Sequence, residues 1–398
     1  MRLEGREFKI ILLLACIQFT HTVDFVMMMP LAPIFMKTFQ IGPETFSIMV
    51  SSYTWSSAVF GIIGALFVDR YDRKRVLLTS YAGFIVGTFL CGLSPTAFVL
   101  ILARTAAGAF AGVMISSVFS IVADIVPEIR RGTALGMVMA AFPVASVLGV
   151  PFAVYLAGKF DWHTPFFFLA ALSSIVLLVM SFLIPQVREH LKNPYLESSW
   201  SRVTHFFRSA KYYPSMIFVF VLMLAAFTII PFISAYLNSN VGVDTKDFYL
   251  VYLFGGLFTF FTSQMFGRMT DRFGKLNLFR WISFFSIFPI LMITNLPPVP
   301  LVAAILTTTF FMILVSGRFV PGMALITGSV EPERRGAYLS VSTAIQHFGS
   351  GLSAYLSGKL LTQGIDGRIE NFALIGWISA FFTIVCILLA PRMLNART

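Results

Sequence analysis

The sequence contains few charged residues and still fewer cysteines. Charged side chains make up 12% of the 398 residues, and the 18 acidic residues are outnumbered by 29 basic ones. With 57% apolar residues and a mean hydropathy of +0.84, this composition excludes an ordinary soluble domain. The three cysteines stand singly in apolar segments without metal or redox spacing, which argues against a disulfide framework or a cysteine-ligated metal centre.

Long apolar runs dominate the rest of the chain. A run of about 20 apolar residues is long enough to cross a membrane as a helix, and backbone groups in lipid must be hydrogen-bonded internally. The runs therefore predict an all-α integral membrane protein with twelve transmembrane helices. The predicted spans are 8–36, 45–68, 76–94, 97–123, 132–157, 164–185, 213–237, 247–267, 277–296, 298–327, 336–361 and 370–391.

One sizeable polar segment divides these spans into two groups of six. We predict an N-terminal six-helix half over 1–185, a cytoplasmic linker over 186–212 and a C-terminal six-helix half over 213–398. With the N-terminus placed in the cytoplasm, the inner loops and tails hold 22 of the 29 basic residues, which predicts that both termini are cytoplasmic. The net charge of +11 follows from this asymmetry, so no nucleic-acid partner is needed to explain it.

The two halves carry related loop sequences. "VDRYDRKR" follows the second span and "TDRFGKLN" follows the eighth, with Asp69 and Asp271 202 residues apart. "PEIRRGTALG" and "EPERRGAYLS" follow the fourth and tenth spans, with Arg131 and Arg335 204 residues apart. Two independent matches at nearly one offset indicate a duplicated six-helix unit.

These motifs identify the sequence as similar to the major facilitator superfamily. The second-half loop "GRMTDRFGK" matches the family pattern G-x-L-x-D-R-x-G-R-[KR] well, whereas the first-half copy has Ala65 and Asp72 where the family has glycine. Arg104 to Gly108 resembles the family's R-x-x-x-G motif in the fourth span. The fifth span, with Gly149 and Pro151, resembles the drug:proton antiporter and arabinose-efflux-permease-like branch.

The resemblance implies a conformational latch at the cytoplasmic loops, whose ion pairs would favour the outward-open state. Solvated positive-inside charge is the alternative interpretation of the same residues. In the fifth span, Gly149 and Pro151 are expected to serve close packing or a gate. The residues of the predicted latch are Asp69, Arg70, Arg73, Lys74, Asp124, Arg130, Arg131, Gly267, Asp271, Arg272 and Gly274.

Three ionisable residues inside the first half are candidates for proton coupling. A carboxylate at the centre of a membrane helix costs about 2.5–3.5 kcal/mol on insertion scales, so Asp24 is expected to be hidden, paired or functional. At about 1.5 Å per residue, Arg104 lies near enough in depth to pair with Asp24, and His21 lies one turn away on the same helix face. We predict that Asp24 binds the proton and that Arg104 modulates it. A permanent structural ion pair is the alternative.

A second group of residues is predicted to bind the substrate. Asp24 belongs to it, together with Arg318, which stands where the repeat places Met114 in the first half. Packing or snorkelling to the cytoplasm is the alternative for Arg318, and hydrogen-bonded packing is the alternative for a lone histidine. The remaining predicted substrate-binding residues are His347, Gln346 and Met28.

The favoured function is secondary active export of a small amphipathic, drug-like or sugar-like solute, coupled to protons and working by alternating access. The alternatives are an importer or facilitator of an organic anion or metabolite, a lipid or lysolipid transporter of the same fold, and sodium in place of protons. Without an ATP-binding motif, a metal cluster or a nucleophile–base arrangement, we expect neither an enzyme nor a cofactor. We expect a monomer among membrane lipids, in the inner membrane of a bacterium.

Overall fold

The computed structural model describes residues 4–67, 70–187, 199–331 and 334–395, and these form an all-α protein with one short pair of strands. Asp69 of the predicted latch lies outside the described residues. The first half contains the helices α1 (Gly5–Met27), α2 (Ala32–Phe39), α3 (Pro43–Phe67), α4 (Arg73–Gly92), α5 (Ala97–Ile125), α6 (Glu128–Met139), α7 (Ala141–Val144), α8 (Val150–Lys159) and α9 (Thr164–Leu183).

The second half repeats this succession of long helices and ends with a short helix of four residues. The strands β1 (Thr362–Gln363) and β2 (Ile369–Glu370) pair antiparallel between α17 and α18. The helices are α10 (Ser199–Arg208), α11 (Tyr213–Phe227), α12 (Ile233–Tyr236), α13 (Phe248–Phe273), α14 (Lys275–Thr294), α15 (Leu301–Gly317), α16 (Phe319–Gly328), α17 (Arg335–Leu360), α18 (Phe372–Leu389) and α19 (Arg392–Asn395).

Side-chain caps and one glycine set several helix boundaries. Thr96 accepts a hydrogen bond from the backbone of Val99 at the start of α5, and Asp72 accepts one from the backbone of Lys74 at the start of α4. Such caps satisfy backbone N–H groups that have no partner within the helix. At Gly274 φ is +83°, a value that favours glycine, and α13 ends immediately before this residue.

Eleven helical segments of the described chain are long and apolar enough to cross a membrane, whereas the sequence predicts twelve spans. The predicted span 336–361 corresponds to α17, a helix of 26 residues that is not among the eleven. α17 contains five serines and four glycines, which lower its hydropathy. Small residues of this kind let helices approach closely, and α17 packs against α3 of the other half.

Four spans predicted as continuous helices are interrupted in the structure. The predicted span 8–36 is broken between Met27 and Ala32, next to Pro30, and 213–237 is broken by a 3₁₀ turn that contains Pro231. Proline cannot donate the helical hydrogen bond, which explains both breaks. The span 132–157 contains a π-helical turn, Ala145–Gly149, and the span 298–327 is interrupted at Arg318.

The two halves meet along α3 and α17, which run antiparallel. Ser51 Oγ donates to the carbonyl oxygen of Gly351 over 2.8 Å, and Ser47 lies against Gly358 so closely that a methyl group on that glycine would overlap it. The rings of Phe46 and Phe232 are 5.9 Å apart at the predicted outer end. The halves are therefore in contact at the end of the bundle predicted to face away from the cytoplasm.

Candidate functional site

A fully buried ion pair joins the first and fourth spans of the first half. Arg104 Nη1 of α5 lies 2.6 Å from Asp24 Oδ2 of α1, and both residues are 0% exposed. The same nitrogen also donates to the backbone carbonyl of Asp24 over 3.3 Å. Thr88 of α4 donates to Asp24 Oδ1 over 3.1 Å. Three spans thus converge on a carboxylate, and charge-assisted hydrogen bonds offset part of the cost of burying it.

Tyr53 of α3 is fully buried and covers this ion pair. The guanidinium carbon of Arg104 lies 4.1 Å from the centre of the Tyr53 ring, a cation–π distance. Gly108 explains why α3 comes so close, because a methyl group at this position would overlap the carbonyl oxygen of Tyr53. The R-x-x-x-G motif therefore supplies both the cation and the space for its aromatic neighbour.

Two histidines face each other across the boundary between the halves. The ring centres of His21 on α1 and His347 on α17 are 5.9 Å apart. Both ring nitrogens of His21 and Nδ1 of His347 are buried without a hydrogen-bond partner in the described structure. His21 also lies 6.1 Å from Tyr53, ring centre to ring centre. His21, predicted one turn from Asp24 on the same helix face, thus contacts the second half.

Phe25 completes this aromatic contact between the halves. Its ring stacks on Tyr53 at 5.9 Å and on Phe227 of α11 at 5.7 Å, and it lies 6.1 Å from His347. Gln346 is half-buried and donates to Ser342 within its own helix over 3.4 Å. The cluster formed by His21, Phe25, Tyr53, Phe227 and His347 is named the aromatic bridge below.

The other predicted substrate-binding residues lie apart from one another. Met28 is fully buried at the end of α1. Arg318 is also 0% exposed, and its Nη1 donates to Thr383 Oγ1 of α18 over 2.8 Å and to Ser286 Oγ of α14 over 3.5 Å. The structure thus brings His347 close to His21 and directs Arg318 toward helices of its own half. Their roles in substrate binding stay predictions.

The first-half latch residues lie at helix ends and make several polar contacts. Arg73 Nε is 2.9 Å from Asp124 Oδ2, which joins the start of α4 to the end of α5. Lys74 Nζ donates to the carbonyl of Ser181 over 2.7 Å, and Arg131 Nε donates to that of Val126 over 3.0 Å. Arg70 is exposed. Ion pairing between loop 2–3 and the end of the fourth span is therefore present, and its effect on conformation stays a prediction.

Arg130 has carboxylate partners that the sequence did not indicate. Its Nη2 lies 2.9 Å from Glu4 Oε1 and 3.0 Å from Glu7 Oε1, both at the start of α1. Glu7 also accepts a hydrogen bond from the backbone of Glu4 and so caps the helix. The start of the first helix is thus tied to the first turn of α6.

The second-half latch residues lie on a helix rather than in a loop. The sequence predicts that the eighth span ends at residue 267, but α13 continues to Phe273, so Gly267, Asp271 and Arg272 are helical. The helix continues because its first strong terminator is Gly274 with positive φ. Asp271 and Arg272 are exposed in its last turn, and the Arg272 guanidinium lies 5.3 Å from the Phe273 ring centre.

An exposed ion pair lies where the predicted linker meets the second half. Lys211 Nζ donates to Glu331 Oε1 over 2.8 Å, and the Tyr212 hydroxyl donates to Oε2 over 2.9 Å. The hydrogen bond from Lys211 is the largest contribution that lowers the pKa of Glu331 to about 2. This contact fixes the segment just before α11 to the loop just before α17.

The fifth span bends next to the buried ion pair. Gly149 ends the π-helical turn, and Pro151 lies at the beginning of α8. A methyl group on Gly149 would overlap Val23, the neighbour of Asp24. On its other side this span contacts α13, where Gly256 lies against the backbone of Ser146. The fifth span therefore contacts α1 of the first half and α13 of the second half.

Sequence reasoning missed four residues of this region. Thr88 donates to Asp24, Tyr53 covers Arg104, and Phe25 and Phe227 form the aromatic contact between halves. Threonine, tyrosine and phenylalanine are frequent in membrane helices, and a single sequence offers no sign of which ones meet. Helical spacing could have placed Phe25 beside Asp24, but not across from Phe227.

Comparison with known proteins agrees with the motifs and the fold. The family model of the Major Facilitator Superfamily matches residues 14–317 and 216–397. The chain is 27% identical over 366 residues to "Uncharacterized MFS-type transporter YceJ" of Bacillus subtilis (strain 168), covering 91% of this chain and 92% of that protein. It is 24% identical over 290 residues to "Multidrug resistance protein 1" of the same organism, covering 71% and 73%.

A solved structure shows the same architecture at low sequence identity. The crystal structure of a D-xylose-proton symporter superposes with a TM-score of 0.73 at 14% identity, covering 95% of this chain and 97% of that one. The family model, the length of the matches and this shared fold confirm the resemblance drawn from the loop motifs. The chain belongs to the major facilitator superfamily.

Proposed function

We propose that the protein exports a small amphipathic solute in exchange for protons, with Asp24 as the proton-binding group. The observation that carries this proposal is the fully buried contact of 2.6 Å between Arg104 Nη1 and Asp24 Oδ2, beside the boundary of the two halves. A carboxylate at this depth is costly to keep, and such residues in transporters mark ion pathways.

The aromatic bridge gives the proton a way to influence the interface. Protonation removes the charge of Asp24 and so weakens its electrostatic attraction to Arg104. The Arg104 guanidinium lies against Tyr53. Tyr53 in turn stacks on Phe25, which contacts Phe227 of the other half. A change at the ion pair therefore reaches the second half through two aromatic contacts.

The same cluster offers a binding surface for the solute. Phenylalanine and tyrosine rings suit an apolar or aromatic part, and the unpartnered nitrogens of His21 and His347 suit its polar groups. Arg104 is neutralised by Asp24, and the Arg318 side chain is directed toward α14 and α18 rather than toward this cluster. This distribution of charge favours a neutral or weakly basic amphipathic solute over an organic anion. The multidrug resistance protein among the relatives is consistent with such a solute.

Proton movement in sealed proteoliposomes tests the proposal. A pH-sensitive dye reports proton flux while a panel of amphipathic, sugar and carboxylate solutes is applied to wild type and Asp24→Asn. Asp161→Asn is the matched control, because Asp161 is an exposed carboxylate that caps its own loop. We expect a solute to drive proton flux in wild type and in the control, and Asp24→Asn to abolish it.

The opposite result separates coupling from structure. Solute exchange without proton movement, together with transport by Asp24→Asn, would contradict the antiporter proposal. Asp24 and Arg104 would then form a structural ion pair, and uncoupled transport would become the favoured function.

A further inference from the structure

We propose that Arg318 and Ser283 form a binding site for a small inorganic anion such as chloride, inside the second half. Ser286 helps to hold Arg318 there, since its hydroxyl accepts from Nη1 and donates to the carbonyl of Ser283 over 2.7 Å. The site is separate from the aromatic bridge and does not depend on the direction or coupling of transport. Two properties of Arg318 indicate this site. Its side chain is charged, and some of its N–H groups have no hydrogen-bond partner among the described residues.

The Arg318 guanidinium is buried, and three of its five N–H donors have no hydrogen-bond partner among the described residues. Nη1 donates to Thr383 Oγ1 and to Ser286 Oγ, whereas Nε and Nη2 have no hydrogen-bond partner among the described residues. The residue is 0% exposed, so solvent does not supply the missing partners. A guanidinium stays protonated in proteins, and a buried donor without an acceptor is costly.

The described part of the second half provides no carboxylate to balance this charge. No ion pair of Arg318 is found within it, and its acidic residues lie at helix ends or in loops. Buried charges in proteins are paired or neutralised, and a single positive charge deep in a membrane bundle is especially unfavourable. The acidic residues concerned are Asp244, Asp247, Asp271, Glu331, Asp366 and Glu370.

The neighbouring hydroxyl groups indicate an anion rather than a cation. Ser283 is fully buried, and its Oγ has no hydrogen-bond partner in the described structure. It precedes Ser286 by three residues on α14, so the two side chains share one helix face. Nε, Nη2 and the Ser283 hydroxyl are all able to donate. A group of donors around a positive charge suits a halide ion.

The position of the site favours a small ion over the transported solute. The partners of Arg318 lie on α14 and α18, which pack against each other and against α15 and α11 of the same half. The aromatic bridge, in contrast, is built from residues of both halves. An ion that neutralises Arg318 is therefore enclosed by one half and moves with it.

Thermal unfolding in detergent tests this site. Wild type, Arg318→Met and Arg280→Met are compared in chloride and in gluconate at equal ionic strength. Arg280 is an exposed arginine of α14 and controls for anion effects at the surface. Because a ligand that binds only the folded state stabilises it, we expect chloride to raise the melting temperature of wild type and of Arg280→Met by a few degrees. Arg318→Met is expected to show no such rise.

A second measurement keeps the test decisive if Arg318→Met does not fold. Bromide-soaked crystals of wild-type protein should show an anomalous peak within hydrogen-bonding distance of Arg318, and Ser283→Ala should weaken it. An equal chloride effect in all folded variants would overturn the proposal. The absence of a bromide peak at Arg318 in wild type would overturn it as well.

Discussion

Each half of the molecule contains an arginine that is 0% exposed, and these two arginines have different surroundings. Arg104 lies 2.6 Å from a carboxylate of the first span and under an aromatic ring, whereas the partners of Arg318 among the described residues are hydroxyl groups. Both begin an R-x-x-x-G sequence, ending at Gly108 in the first half and at Gly322 in the second. They are not equivalent positions of the repeat, because its offset places Met114 where the second half has Arg318.

This difference shows that the duplication preserved the order of the helices more closely than the positions of the charged residues. In the first half, the arginine, its carboxylate and its aromatic cover form a set of contacts that reaches the interface between the halves. In the second half, the arginine points toward α14 and α18 and away from that interface. The proton-dependent step proposed above therefore belongs to the first half.

The largest effect that separates the two arginines is expected from removing each charge. Arg104→Met leaves Asp24 buried without its partner, and breaking a buried ion pair costs about 3–5 kcal/mol. Arg318→Met removes the buried charge without leaving an unpaired partner. In the absence of a small anion, this substitution should change the free energy of unfolding by less than about 1 kcal/mol, or raise it. Thermal unfolding measures both changes in stability. The extent of unfolding is monitored by alkylation of the thiols of Cys91 and Cys386, which are buried in the folded protein.

The double variant Asp24→Leu with Arg104→Met is the control for this comparison. It removes both charges, so it should recover most of the stability lost in Arg104→Met while remaining inactive in proton flux. Equal destabilisation by Arg104→Met and Arg318→Met would contradict the difference described between the halves.

A smaller effect is expected at the glycines of the two motifs. In Gly108→Ala the new methyl group overlaps the carbonyl oxygen of Tyr53, so α3 must shift, at a cost of about 1–3 kcal/mol. In Gly322→Ala the methyl group meets Leu222 at 3.5 Å, an ordinary contact, and little change is expected. Melting temperatures of the two variants measure the difference, and proton flux should fall only in Gly108→Ala.

The same pair of variants also tests the role of Tyr53. If Gly108→Ala keeps full proton flux despite a lower melting temperature, the position of Tyr53 over Arg104 is not needed for coupling. The aromatic bridge would then be a packing contact alone.

The smallest effect is expected at the exposed ion pair of Lys211 and Glu331. This pair serves as a reference for the contribution of charges outside the membrane to stability. The hydrogen bond from Lys211 lowers the pKa of Glu331 to about 2, so the pair stabilises the folded state above pH 4.5 and loses this contribution as the pH falls toward 2. Because both side chains are about 40% exposed, Glu331→Gln should cost only about 0.2–1 kcal/mol near neutral pH.

Melting temperatures of wild type and Glu331→Gln, measured from neutral pH down to pH 3, check this expectation. The difference between them should shrink as the pH falls. A difference that stays constant over this range would show that Glu331 contributes through packing rather than through its charge.

The sequence was sufficient to predict the family, the helical class and the depth match of Asp24 with Arg104. The family rests on the resemblance of short loop and helix motifs, the helical class on apolar run length, and the depth match on a rise of about 1.5 Å per residue. All of these can be seen in local stretches of the sequence. The approach of His21 to His347 was not predicted, because it depends on how α1 and α17 of different halves are packed.

The helix breaks were also beyond the sequence-based prediction. Pro30 and Pro231 lie within apolar runs, and hydropathy alone does not distinguish a broken helix from a continuous one. The interruption at Arg318 lies three residues before Pro321, which has no N–H to donate to the carbonyl of Gly317. Tertiary contacts with α14 and α18 accompany it and are invisible in one sequence.

The unbalanced charge of Arg318 has an electrical consequence. A membrane potential of 100 mV changes the energy of one elementary charge by about 2.3 kcal/mol over the full thickness of the membrane. A rocking motion that shifts the second half would carry Arg318 through part of that voltage drop, whereas the pair of Asp24 and Arg104 would move without electrical work as long as Asp24 is ionised. Occupation by a chloride ion would make the second half equally insensitive to voltage.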